Sequence, residues 1–165
     1  MNGKEPSPGL DLGHVPGVLL ESDAAAISAD DLMHLVKDEF HEQGEVPPCA
    51  EKILVLSRVI AGYLRTCPLA DCAGLQGQSV AIASFVAACP SWWTRDSRDY
   101  GKLAALLDDV FHQREAGLPS TVAMEMLHGV TAGIMRAKRL PRTQAAQLAM
   151  ADWIATLYLA GRDDW

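Results

Sequence analysis

Each histidine of the chain follows a carboxylate residue by three positions. On a helix, this spacing brings the two side chains to one side, and it recurs among the ligands of di-iron helical bundles. A buried metal centre is therefore the first chemistry to consider. The pairs are Asp11 with His14, Asp31 with His34, Asp38 with His41, Asp109 with His112, and Glu125 with His128.

Helical periodicity argues against a metal inside the bundle. The apolar residues of the first helix centre on Leu32 and Val36, on the side opposite its carboxylates and histidines. Ligands of a bundle-core centre must point inward, so we expect surface ion pairs and no cofactor. The alternative is a surface metal site or pH-responsive patch at Asp31, His34, Asp38 and His41. The residues Asp109, His112, Glu125 and His128 are likewise expected to point outward.

Motifs for nucleophilic catalysis and phosphate binding are absent from the sequence. There is no Gly-x-Ser-x-Gly elbow, and the glycine-containing stretch at residues 74–79 lacks the lysine of a phosphate loop. There is also no Cys-x-x-Cys pair, and free thiols are expected at Cys49, Cys67, Cys72 and Cys89. We therefore expect a non-catalytic protein. The alternative is a small enzyme that uses the acid–histidine pairs or a cysteine.

A basic cluster stands out from an acidic chain with a net charge of −7. It follows the fifth helix, where cations complement the negative end of the helix dipole. This structural role is the favoured interpretation, and the alternative is an anchor for an acidic partner, a phosphate or a nucleic acid, although the overall charge disfavours nucleic acid and anionic membranes. Its members are Arg136, Lys138, Arg139 and Arg142.

The length of 165 residues and the apolar content of 49% predict one folded domain of ordinary core size. No secretory signal is recognisable at the start, and the apolar runs are too short to span a bilayer, so we expect a cytoplasmic protein. Residues 1–27 are expected to form a flexible arm, because the first 17 contain four glycines and three prolines.

Residues 28–165 are predicted to form an all-α bundle of about six helices with short connections. Start signals include Ser28, Pro47-Pro48 and Ser120, whereas Gly44, Gly117 and Gly161 are read as helix ends. The fifth helix also carries Gly129 and Gly133 on its apolar side, which predicts close packing against the alanine-rich sixth helix.

The sixth helix is apolar on more than one side. One face has Met150, Trp153, Ile154 and Leu157, and a second has Leu148 and Leu159. Such a helix is either central in its bundle or shared with a partner, so we expect a homodimer or a partner helix at the second face. Trp92, Trp93 and Trp165 are expected either to cover the core or to act as aromatic anchors for a partner. The favoured function is thus a helical interaction module of adaptor, regulatory or inhibitory type.

Overall fold

The computed structural model describes residues 27–66, 74–88 and 100–162. Within these ranges 79% of the residues are helical and none lies in a strand, which confirms the all-α fold class. None of the helices described has both the length and the apolar character needed to cross a membrane. The helices are α1 Ala29–Glu42, α2 Ala50–Thr66, α3 Leu75–Ala87, α4 Tyr100–Gln113, α5 Thr121–Ala137 and α6 Gln144–Arg162.

Several predictions fall on residues outside the described ranges. These concern most of the expected arm, the pair Asp11 and His14, and the aromatic anchors Trp92, Trp93 and Trp165. Three of the cysteines, Cys67, Cys72 and Cys89, also lie outside, whereas Cys49 is exposed with a free thiol.

Helix starts agree with the capping residues read from the sequence. The Ser28 hydroxyl accepts a hydrogen bond from the Asp31 backbone N–H at 3.1 Å, and Ser120 accepts one from Ala123 at the same distance. Each bond satisfies a backbone donor that the helix itself leaves without a partner.

The observed helix ends agree less well with the ends predicted from the sequence. Gly44 follows α1 with φ +78°, as expected for a left-handed terminating residue. The predicted end of α4 at Gly117 is wrong, because α4 stops at Gln113 and Glu115 takes the left-handed position with φ +53°.

Helix α2 lies at the centre of the fold, in contact with α1, α3, α5 and α6. Its most extensive partner is α6, which runs antiparallel to it: Gly62 faces Leu157 and Gly161 faces Arg58. A Cβ atom at Gly62 would lie 1.8 Å from the Leu157 carbonyl oxygen, so only glycine permits this approach of the two backbones. The tight packing of α2 on α6 was not visible in the sequence.

Gly161 does not end α6, contrary to the sequence prediction. The helix continues to Arg162, and Gly161 is buried against α2, where a Cβ atom would lie 1.8 Å from the Arg58 carbonyl oxygen. Its lack of a side chain therefore serves helix packing instead of helix termination. Gly129 and Gly133 are buried within α5.

One contiguous apolar core connects all the described helices, and a smaller cluster of Leu103, Ala132 and Met135 joins α4 to α5. The predicted core face of α4 is confirmed, since Leu103, Leu107, Val110 and Phe111 are its buried residues. The face of α6 with Ile154 and Leu157 is buried as well. Helix α6 therefore packs against α2, α4 and α5, and any further contact must use its remaining outer side.

Candidate functional site

The acid–histidine pairs of α1 lie on its solvent face, as the periodicity predicted. Asp31, His34, Asp38 and His41 are all exposed. The first three line a shallow hollow together with Ile27, Leu35 and Gln76. Among the residues described, no three His, Cys, Asp or Glu side chains are grouped closely enough to hold one metal ion.

The pair on α4 is also exposed, and His112 bonds locally, with its Nδ1 2.9 Å from the Asp108 carbonyl oxygen. His128 differs, and the outward orientation predicted for it is wrong. Its exposed fraction is 9%, because α5 is enclosed on several sides by α2, α4 and α6. The side of α5 that appears polar on a helical wheel therefore faces a neighbouring helix.

Helix α4 supplies the surroundings of His128. The Tyr100 ring packs edge-on against the imidazole, with centroids 5.5 Å apart, and the Asp108 Oδ1 lies 4.0 Å from Nε2. The Tyr100 hydroxyl in turn donates to the Glu125 carbonyl oxygen at 3.4 Å. The arrangement joins α4 to α5 through one aromatic contact, one hydrogen bond and one longer polar contact.

The basic cluster surrounds a turn of defined geometry between α5 and α6. Arg139, with φ +54°, occupies the left-handed position after the Lys138 cap, and its N–H donates to the Arg136 carbonyl at 3.1 Å. The Leu140 N–H donates to the Met135 carbonyl at 2.9 Å. These two bonds form a Schellman motif, whose usual apolar contact here brings Leu140 back onto Met135.

This turn forms one wall of a shallow pocket, which we name the α4–α5–α6 pocket. It is small, and its volume of about 350 Å³ includes open solvent. Its lining is apolar except for two arginines and the amide of Gln147, which is only 2% exposed. The lining residues are Leu103, Ala132, Met135, Arg136, Leu140, Arg142 and Gln147.

Positive charge is concentrated at this pocket. Arg136 and Arg142 are exposed at its rim, Arg139 is exposed on the turn, and Lys138 is half-buried. No acidic residue occurs in the sequence between Glu125 and Asp152. The basic cluster identified in the sequence is therefore part of a concave surface. The apolar wall was not predicted, because α4, α5 and the turn after α5 supply it together.

The second face of α6 is less uniform than the sequence suggested. Leu148 is 41% exposed, whereas Leu159 is half-buried and packs on the core. Between them lies the guanidinium of Arg114, the residue that follows α4. It donates hydrogen bonds to Asp152 Oδ1 at 2.7 Å and to Thr156 Oγ1 at 2.6 Å. The outer side of α6 thus alternates apolar and polar contacts along its length.

No protein-family model, curated protein or solved structure matches the chain. Function must therefore be inferred from the chemistry of the described surfaces.

Proposed function

We propose that the protein is a non-catalytic helical interaction module that binds an acidic partner segment through the α4–α5–α6 pocket. The observation that carries this proposal is the combination of an apolar wall with two rim arginines, Arg136 and Arg142, in one concavity. Adaptor, regulatory and inhibitory proteins all act through contacts of this kind.

The apolar wall adds to binding at its one partly exposed member, Leu140. Leu103, Met135 and Leu140 come from α4, α5 and the turn that follows α5. Leu103 and Met135 are buried in the core, so a partner side chain contacts chiefly the half-buried Leu140, where apolar burial contributes about 25 cal/mol per Å². A small aliphatic side chain that packs on Leu140 suits this edge of the pocket.

The rim arginines define the charge of the partner. Guanidinium groups bind carboxylates through paired hydrogen bonds, so carboxylates flanking the apolar anchor complement Arg136 and Arg142. The net charge of −7 repels an extended polyanion such as a nucleic acid. A short acidic segment avoids much of that repulsion, because screening at physiological salt limits it to about 8 Å.

A peptide titration tests this proposal. The probe is a fluorescein-labelled Asp-Asp-Leu-Asp-Asp peptide, compared by anisotropy with Asn-Asn-Leu-Asn-Asn and Asp-Asp-Gly-Asp-Asp. Only the first peptide is expected to bind, with a Kd that rises at least tenfold in the Arg136→Glu/Arg142→Glu variant. Both arginines are exposed, so this variant should retain the helical circular dichroism of the parent protein.

The matched control is Lys37→Glu, a charge reversal at an exposed position of α1, a helix that packs on α2 and α3. It should leave the Kd unchanged. Equal binding of all three peptides, or an unchanged Kd in the double arginine variant, would contradict the proposal. Displacement of the acidic peptide by a single-stranded decathymidylate would favour a nucleic-acid ligand instead.

A further inference from the structure

We infer that the end of the bundle formed by residues 42–52 and 114–120 is a second docking surface, which fits a basic segment of another protein that carries apolar side chains. We name it the loop-end surface. It is separate from the α4–α5–α6 pocket, which contains Leu103 near the start of α4 and Arg136 near the end of α5. The loop-end surface lies where α4 ends and α5 begins.

A side-chain hydrogen bond joins the two loops of this surface. The hydroxyl of Ser120, the residue that caps α5, donates to the carboxylate of Glu51 in the first turn of α2. Val46 lies five residues before Glu51, and Leu118 lies two residues before Ser120. The bond therefore places both apolar residues at the same end of the bundle.

Exposed apolar side chains are concentrated at this end. Three large apolar side chains are exposed in the described part of the chain, and two of them, Val46 at 87% and Leu118 at 52%, belong to the loop-end surface. The third is Leu148 on α6. A single exposed apolar residue is common on protein surfaces, but two on joined loops offer a larger apolar area to a partner.

The backbone is restricted at both of these exposed residues. Each directly precedes a proline, Pro47 or Pro119, and the residue before a proline favours extended conformations. Leu140 also precedes a proline, yet it packs on Met135 and its cluster. Exposure is therefore not a consequence of the proline alone. Because the extended backbone is set in advance, less conformational entropy is lost when a partner binds.

The charges of the loop-end surface favour a basic partner. Residues 42–52 and 114–120 contain four glutamates and two cations, Lys52 and Arg114. The Arg114 guanidinium is already paired with Asp152 at 2.7 Å, and Lys52 is half-buried. Neither cation therefore offsets the exposed carboxylates fully.

Three of the glutamates, Glu42, Glu45 and Glu115, are exposed. The fourth, Glu51, lies at the positive ends of the α2 and α5 dipoles and compensates them. Helices α1 and α4 also end here, which adds the negative ends of two helix dipoles. Lysine or arginine residues that flank an apolar side chain complement this arrangement, since opposite charges fix the orientation and the choice of partner.

The test is an anisotropy titration of the full chain with fluorescein-labelled Lys-Leu-Lys-Lys-Lys-Leu-Lys at physiological salt. One comparison peptide has glycine in place of both leucines, and the other has glutamine in place of every lysine. Only the first peptide should bind. Its Kd should rise about tenfold in Val46→Ser/Leu118→Ser, which removes the apolar contacts, and about threefold in Glu45→Gln/Glu115→Gln. All four positions are exposed, so helical circular dichroism should be unchanged.

Two variants are matched controls, and both should leave this Kd unchanged. Leu148→Ser removes the exposed leucine of α6. Asp30→Asn/Asp38→Asn changes the net charge as much as the glutamate variant does, but on the solvent face of α1. The pocket variant Arg136→Glu/Arg142→Glu should bind the basic peptide no more weakly than the parent protein.

Equal binding of the three peptides would overturn the inference, as would an unchanged Kd in Val46→Ser/Leu118→Ser or an equal rise in the controls. Light scattering tests the other occupant of this surface. A parent dimer that becomes monomeric in Val46→Ser/Leu118→Ser would assign the surface to a second copy of the chain and overturn the inference too. The proposed function fails separately, because it is tested with an acidic peptide and the arginine variant.

Discussion

The ends of α1, α4 and α5 form the same pair of backbone hydrogen bonds. A different residue type occupies the left-handed position at each end. The left-handed position is occupied by Gly44 after α1, by Glu115 after α4 and by Arg139 after α5. Residues with a Cβ atom adopt this conformation less readily than glycine. At Arg139 the motif nevertheless brings Leu140 onto Met135 and so forms one wall of the pocket. The residue at this helix end thus adds an exposed cation to the turn while its backbone shapes the wall.

At the same scale, burial separates His128 from the other described histidines. His128→Ala should lower the free energy of unfolding by about 1–3 kcal/mol, because it removes the ring that packs on Tyr100 and leaves a cavity between α4 and α5. Urea denaturation measures this change. The control is His34→Ala on the solvent face of α1, which should shift stability by no more than about 0.5 kcal/mol. Equal effects of the two substitutions would show that His128 does not pack as described.

At the scale of helices, the antiparallel pair of α2 and α6 depends on two glycines. Gly62→Ala and Gly161→Ala should each destabilise the fold strongly, by about 3 kcal/mol or more, because the added Cβ would collide with a backbone carbonyl of the opposite helix. Thermal unfolding followed by circular dichroism measures the loss.

Gly101 provides a matched control for these two substitutions. It lies in the first turn of α4, and a Cβ atom there would meet nothing within 4 Å. Gly101→Ala should therefore be neutral or stabilise the protein by up to about 1 kcal/mol through helix propensity. A tolerated Gly62→Ala would mean that α2 and α6 are farther apart than described.

Helices and their apolar faces could be predicted from the sequence because they depend on local spacing. The buried residues Leu32, Val36 and Phe40 of α1, for example, follow the helical period. What periodicity cannot give is which helices become neighbours. The burial of His128, the role of Gly62 and the apolar wall around Arg136 and Arg142 all depend on contacts between elements distant in sequence.

At the scale of the whole molecule, the buried core residues of the described ranges all lie in helices. Its buried members run from Leu32 to Tyr158, with Ile27 packed against it at one edge. Deletion of residues 1–17, which are rich in glycine and proline, should therefore change the free energy of unfolding by less than about 0.5 kcal/mol. Urea denaturation of the shortened and full chains, at equal concentration, provides the comparison. A fall in stability of several kcal/mol would show instead that the first 17 residues bury apolar surface on the helical body.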